Sequence, residues 1–191
     1  MLHKVAIIMG SMRPNNICTR ITKWVEKTIE SFNEIELSVI NLADWKLPFL
    51  DEPGIPAAHP YQHEHTKAWS QRVLLEDGFI FITPQYNWGY PASLKNAIDY
   101  LYKEWNGKNA LIISYGGHGG NKVAAQLKEV LEGGCKMKIV DKMPGIVLSH
   151  EIIRDQIRID LDKHFQPYAQ DIQQAIEQLI AALNAKLSGK M

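Results

Sequence analysis

The chain has 191 residues, which suits about one domain with a substantial core. Its 21 Lys plus Arg are matched by 21 Asp plus Glu, and 46% of its residues are hydrophobic. The charge balance excludes a general nucleic-acid or anionic-membrane binder, and the apolar share excludes a largely disordered chain. Cys18 and Cys135 are too few for a disulfide scaffold. The first apolar run, Val5 to Gly10, is too short for a signal segment, and no stretch approaches ~18 uninterrupted apolar residues. The expectation is a single domain over residues 1–191, cytoplasmic and reduced, with no membrane or nucleic-acid partner.

In chain order, a strand is predicted at Lys4 to Met9. A helix follows at Ile17 to Phe32, where Ile21, Trp24, Val25, Thr28, Ile29 and Phe32 recur at helical spacing. Glu36 to Leu42 reads as a second strand, Asp51 to Pro60 as a surface loop of variable conformation, and Tyr61 to Leu75 as a helix. A third strand, Gly78 to Thr83, precedes a helix over Ala92 to Trp105, and a fourth, Ala110 to Tyr115, precedes a helix over Val123 to Leu131. The fifth apolar run, Lys136 to Leu148, is interrupted by Pro144-Gly145; Ser149 to Gln166 has no clear period, and Tyr168 to Leu187 reads as a terminal helix.

Strands with continuous apolar texture, each separated by a helix, predict an α/β fold with a parallel sheet and right-handed crossovers. Five such units are too few for an eight-stranded barrel, which needs about 250 residues. The expectation is a flavodoxin-like doubly wound five-stranded parallel sheet with helices on both faces. In such a sheet a ligand binds beyond the carboxyl ends of the first, third and fourth strands.

The loop after the first strand, Gly10-Ser11-Met12-Arg13-Pro14-Asn15-Asn16-Ile17-Cys18, enters a helix. Free N–H groups and the positive dipole end suit a phosphate there, with Ser11, Arg13 and Asn16 as further donors. Ser11 and the asparagines can also serve as helix caps alone, although capping does not call for the cation of Arg13. With one glycine, the loop is neither a G-x-G-x-x-G dinucleotide fingerprint nor a Walker A loop. The third loop, Thr83-Pro84-Gln85-Tyr86-Asn87-Trp88-Gly89-Tyr90-Pro91, sets three aromatics beside amide side chains. These can flank a planar heterocycle or pack on the core. The fourth, Ser114-Tyr115-Gly116-Gly117-His118-Gly119-Gly120-Asn121, lets backbone N–H groups approach a ligand closely, or is a flexible turn.

Together these segments resemble the NADPH-dependent FMN reductases, and more narrowly their flavodoxin-like NAD(P)H:quinone oxidoreductases. The resemblance rests on Gly-Ser-x-Arg, on Pro-Gln-Tyr-Asn-Trp-Gly-Tyr-Pro-Ala-x-Leu-Lys-Asn-Ala-Ile-Asp and on Ser-Tyr-Gly-Gly-His-Gly-Gly, and it runs over about the first 135 residues. It implies bound FMN, NAD(P)H as co-substrate, a quinone or flavin acceptor, ping-pong turnover and a homodimer. It implies that Ser11, Arg13, Asn16, Ile17 and Cys18 hold the FMN phosphate. Pro84, Gln85, Tyr86, Asn87 and Trp88 would line the isoalloxazine, with Ser114, Tyr115, Gly116 and Gly117 forming the rest of the slot. Asn16, Gln85 and Trp88 depart from the family's frequent serine, glutamate and smaller residue at those places.

Two other functions compete: an electron carrier or flavin-sensing module acting through a protein partner, and a phosphate-ester enzyme using the first loop. Neutral charge counts against the carrier, and the lack of an acidic metal cluster counts against the phosphatase. No residue is singled out as a certain acid or base; His118 in the glycine loop is the one candidate proton donor. Ser11 has no nucleophile elbow around it, and Cys18 reads as a packed thiol despite its place near a helix N-terminus. His59, His63 and His65 match no zinc spacing, and His150-Glu151-Ile152-Ile153-Arg154 fails H-E-x-x-H at its last position. Tyr100, Tyr102 and Trp105 read as core or dimer interface.

Overall fold

The structure is a computed structural model that describes residues 2–14, 17–155 and 160–188. Five strands run in the order β2 (Ile35–Asn41), β1 (His3–Met9), β3 (Gly78–Pro84), β4 (Asn109–Gly116), β5 (Lys138–Ile139), every pairing parallel. The predicted fifth strand divides. β6 (Gly145–Val147) pairs with the carboxyl end of β4 while β5 pairs with its start. Pro144 has no N–H to give and its carbonyl accepts from Ser114 instead, so the run bends between the two short strands.

Alternation along the central strands feeds two cores. Val5, Ile7, Ile80, Ile82, Leu111, Ile113 and Tyr115 face one side, with helices α1 (Ile17–Ile29) and α8 (Ala169–Ser188). Ala6, Ile8, Phe79, Phe81, Ala110 and Ile112 face the other, with α3 (Glu64–Leu74), α4 (Ala92–Asp99) and α5 (Asn121–Glu129). Being buried on both faces is why these strands read as unbroken apolar runs. The short α2 (Leu42–Trp45) starts on an Asn41 side-chain cap. The poorly periodic 149–166 stretch contributes α6 (His150–Asp155) and α7 (Leu161–Phe165).

The helix predicted over Ala92 to Trp105 stops at Asp99. The indole N–H groups of Trp69 and Trp105 donate to the carbonyls of Ala97 and Ile98 at 2.8 and 3.1 Å, taking acceptors that another helical turn would have used. Tyr100 and Trp105 are accordingly core residues, and Tyr102 is half-buried.

The Asp51 to Pro60 loop is tied down rather than variable. The Asn96 amide bridges the Pro48 carbonyl and the Leu50 N–H. The Tyr100 hydroxyl donates to Asp51, and Glu52 accepts from the N–H groups of Gln62 and His63 ahead of α3. His63 and His65 stack with centroids 5.2 Å apart and bond to Asp51, and no metal-binding cluster forms among the described residues. Among those residues no helix is long and apolar enough to cross a membrane.

Burial, reinforced by Asp51, raises the Tyr100 phenol from 10.0 to about 12, and burial, reinforced by Asp99, raises the Cys135 thiol from 9.0 to about 11. Through that range the unfolded chain loses protons that the folded chain keeps. The stability that these two groups contribute is therefore complete below pH 9.0 and is lost as pH climbs through about 11 and then about 12. Urea unfolding at about pH 8 and about pH 11 should show this loss, and Tyr100→Phe should reduce the difference between the two pH values while lowering stability at the first. An identical pH dependence in the variant would remove Tyr100 from the alkaline transition.

Candidate active site

Parallel register brings the carboxyl ends of β1, β3 and β4 to one edge, with Met9 opposite Ile82 and Pro84 opposite Tyr115. There the three predicted loops meet. The Ser11 and Tyr86 hydroxyls share a hydrogen bond of 2.9 Å, and the Arg13 guanidinium lies 5.9 Å from the Tyr86 ring centroid. The first and third loops therefore touch through the same tyrosine.

Ser11 is fully buried at the base of the first loop, and its oxygen also accepts the Arg13 N–H at 3.4 Å. Asn16 lies outside the described residues. Ile17 and Cys18 open α1, whose first turn carries no acidic side chain, so their N–H groups stand at a helix start without a competing carboxylate. The Cys18 side chain is fully buried beneath the loop, beside the Gly10 and Ser11 backbone, with its thiol donating to the Ile82 carbonyl at 3.5 Å. Burial raises that thiol's pKa, which disfavours the thiolate that a nucleophile needs.

The third loop closes on a two-residue turn, with reciprocal bonds of 2.9 Å between Tyr86 and Gly89. Asn87 at φ 45° and Trp88 at φ 79° make it type I′. Asn suits its position, but a bulky residue at the second costs about 1–2 kcal/mol relative to glycine. The three aromatics then part company. Tyr86 turns toward Ser11, Tyr90 packs against the α4–α5 core, and Trp88 stands in solvent with 62% of its surface exposed. Pro84 is buried at the end of β3.

The glycine loop is held by groups that the sequence assigned to the ligand. The Ser114 hydroxyl donates to the Gly119 carbonyl at 2.8 Å, and the Gly119 N–H bonds back to the Gly116 carbonyl. Gly120 has φ 75°, and a Cβ there would lie 2.9 Å from that of Ser114, so glycine is required. Gly120 cannot cap α5, and Gln85 does so from across the site: its side-chain carbonyl accepts the N–H groups of Lys122 and Val123 at 3.2 and 3.4 Å. Tyr115 is buried in the α1–α8 core, and burial together with Cys18 raises its phenol well above its ordinary value. The side chains of Gln85 and Ser114 thus brace the loops around the slot, and the Tyr115 phenol lies beside Cys18 and Ser11.

Gly117 and His118 form the exposed apex, with Ile153 of α6 beside Gly117. Their N–H groups make no hydrogen bond among the described residues. An exposed pair of N–H groups at one end, a helix start with Ser11 and Arg13 at the other, and Tyr86 between them fit an elongated ring system carrying a phosphate. Sequence reasoning did not find the capping role of Gln85, the Lys122 ammonium 5.4 Å from the Trp88 ring centroid, or Ile153. Only the first left a trace, since a glycine-rich helix start implies a cap supplied from elsewhere.

The chain matches the family described as NADPH-dependent FMN reductase over residues 3–150. It is 47% identical over 152 residues to an NAD(P)H-dependent FMN reductase of Schizosaccharomyces pombe, covering 78% of this chain and 76% of that protein. A quinone reductase of Pseudomonas putida is 28% identical over 144 residues, covering 70% and 74%. The fold is that of a flavoenzyme NAD(P)H:(acceptor) oxidoreductase from Paracoccus denitrificans, at TM-score 0.73, 24% identity and coverage of 96% and 98%.

Gln85→Ala should lower unfolding free energy by about 1 kcal/mol, the usual cost of a lost helix cap, whereas Gln85→Glu should retain stability because a carboxylate suits the positive end of α5. Urea midpoints measure both, and an alanine variant as stable as the parent would refute the capping role.

Proposed function

The chain belongs to the NADPH-dependent FMN reductase family and is an FMN-dependent NAD(P)H oxidoreductase, and from that premise we propose that its acceptors are quinones and other flat molecules, free FMN among them. The observation that supports this reading is the exposed Gly117–His118 apex, whose N–H groups make no hydrogen bond among the described residues, on the loop that leaves the same sheet edge as Tyr86 and the start of α1. When bound, FMN supplies the two-electron chemistry between NAD(P)H and the second substrate.

The chain's own residues position, shield and neutralise. Ser11, Arg13 and the N–H groups of Ile17 and Cys18 hold the phosphate. Tyr86 and the backbone of Asn87, Gly116 and Gly117 flank the ring, and the Gly117 and His118 N–H groups stabilise negative charge at its polar edge. That stabilisation needs no side-chain acid or base, so His118 contributes its backbone and no obligatory proton. Donor and acceptor use the same slot in turn, which makes turnover ping-pong.

The same reading includes a homodimer of single-domain chains in a reducing, cytoplasmic setting, where two buried free thiols are at home. Phe49 and Ile55 are exposed apolar residues on a loop that Asn96 and Tyr100 hold in place, beside a cleft of about 560 Å³ between α4 and the end of α5. An immobilised apolar strip of this kind suits a second copy of the chain.

Purified protein should bind FMN and be bleached by NADPH alone under nitrogen, then recover its colour on adding a quinone. A requirement for a separate reductase would instead support the electron carrier. Arg13→Ala should weaken FMN retention by about 1.5–3 kcal/mol, the scale of a charged hydrogen bond, read by equilibrium dialysis. Light scattering should give twice the 21.7 kDa chain mass, reduced to one chain by Phe49→Asp with Ile55→Lys; a parent that scatters as one chain refutes pairing.

A further inference from the structure

Trp88 is a large aromatic residue at a position whose backbone favours glycine, with φ 79° in a type I′ turn. Core packing does little to compensate for that conformation, because 62% of the residue remains in solvent. The other tryptophans behave differently. Trp69 and Trp105 are fully buried with their N–H groups bonded, Trp24 is packed against Phe165, and Trp45 is half-buried against Trp69. A strained, exposed indole at the mouth of the slot is there for its ring.

That ring is also held in place. The Lys122 ammonium stands 5.4 Å from its centroid, and Lys122 is itself anchored by the bond from its N–H to the Gln85 side chain. A cation occupies one side of the indole, and the remaining surface faces solvent beside the turn formed by Tyr86 and Gly89. We propose that Trp88 determines acceptor specificity: its ring is a stacking platform for a flat, electron-poor acceptor, and Lys122 holds the ring and favours an acceptor that gains negative charge. This rests on the quinone reading above and assigns it a residue. Stacking with indole rewards planarity and low electron density, so the platform should distinguish a naphthoquinone from a compact inorganic oxidant such as ferricyanide.

The test uses Trp88→Gly, Trp88→Ala and Trp88→Phe in the FMN-loaded protein, with menadione and ferricyanide as acceptors and NADPH as donor. The ratio of kcat/KM for menadione to that for ferricyanide should fall about tenfold in the glycine and alanine variants, equivalent to about 1.4 kcal/mol, and be largely retained with phenylalanine. Without FMN, Trp88→Gly should raise Tm by about 3 °C through relief of the turn while Trp88→Ala should not, a result that a packing role for the indole would reverse. An unchanged ratio, or a fall in Tm with glycine, overturns the proposal. A loss confined to kcat/KM for NADPH gives the platform to the adenine of the donor and overturns the acceptor role. Wild-type protein that reduces ferricyanide but not menadione overturns the quinone reading and this inference with it, whereas the other outcomes leave that reading standing.

Discussion

Parallel hydrogen bonding among β1, β3 and β4 places Met9, Pro84 and Gly116 at one rim of the sheet, and the placement cannot drift. Each of these strands is buried on both faces, so a slip of one residue would exchange the side chains of two differently shaped cores. Phe79 and Phe81 pack with Trp105 on one side, whereas Ile80 and Ile82 meet α1 and α8 on the other. Three loops far apart in sequence converge because the strands that carry them have no other register available.

Convergence alone would leave three mobile loops. Rigidity comes from bonds between segments, many made by polar side chains: Ser11 with Tyr86, Gln85 with the start of α5, Ser114 with Gly119. The Ser114 bond satisfies a buried hydroxyl and the Gln85 bonds satisfy N–H groups that a helix start leaves open, and each leaves fewer conformations for its loop. Among the described residues, the N–H groups of Gly117 and His118 at the exposed apex make no hydrogen bond. Donors fixed before a ligand arrives lose little entropy when it binds, so the supporting bonds favour affinity without touching the ligand.

The architecture was legible because it depends on periodicity, and unbroken apolar runs separated by helical segments leave few topologies. The convergence of the loops was legible too, as a consequence of parallel order. Boundaries were read less well where side chains far along the chain set them: the end of α4 depends on Trp69 and Trp105, and the anchored 51–60 loop on Tyr100 and Asn96. The same limit separates the site motif from its geometry. Gln85, Ser114 and Tyr115 belong to the right segments, yet a strand directs alternate side chains to opposite faces and a loop directs them anywhere. Composition therefore could not distinguish a residue that lines the slot from one that braces it.

Both thiols are buried, and burial raises the pKa of each, so the thiolate is disfavoured further than in a free cysteine. Oxidation of cysteine begins from the exposed thiolate. Cys18 is on α1, the helix that opens at the rim where the three loops meet. Fully buried against the Ile82 carbonyl, its sulfur is kept from oxidants in solvent by the packing around a single side chain.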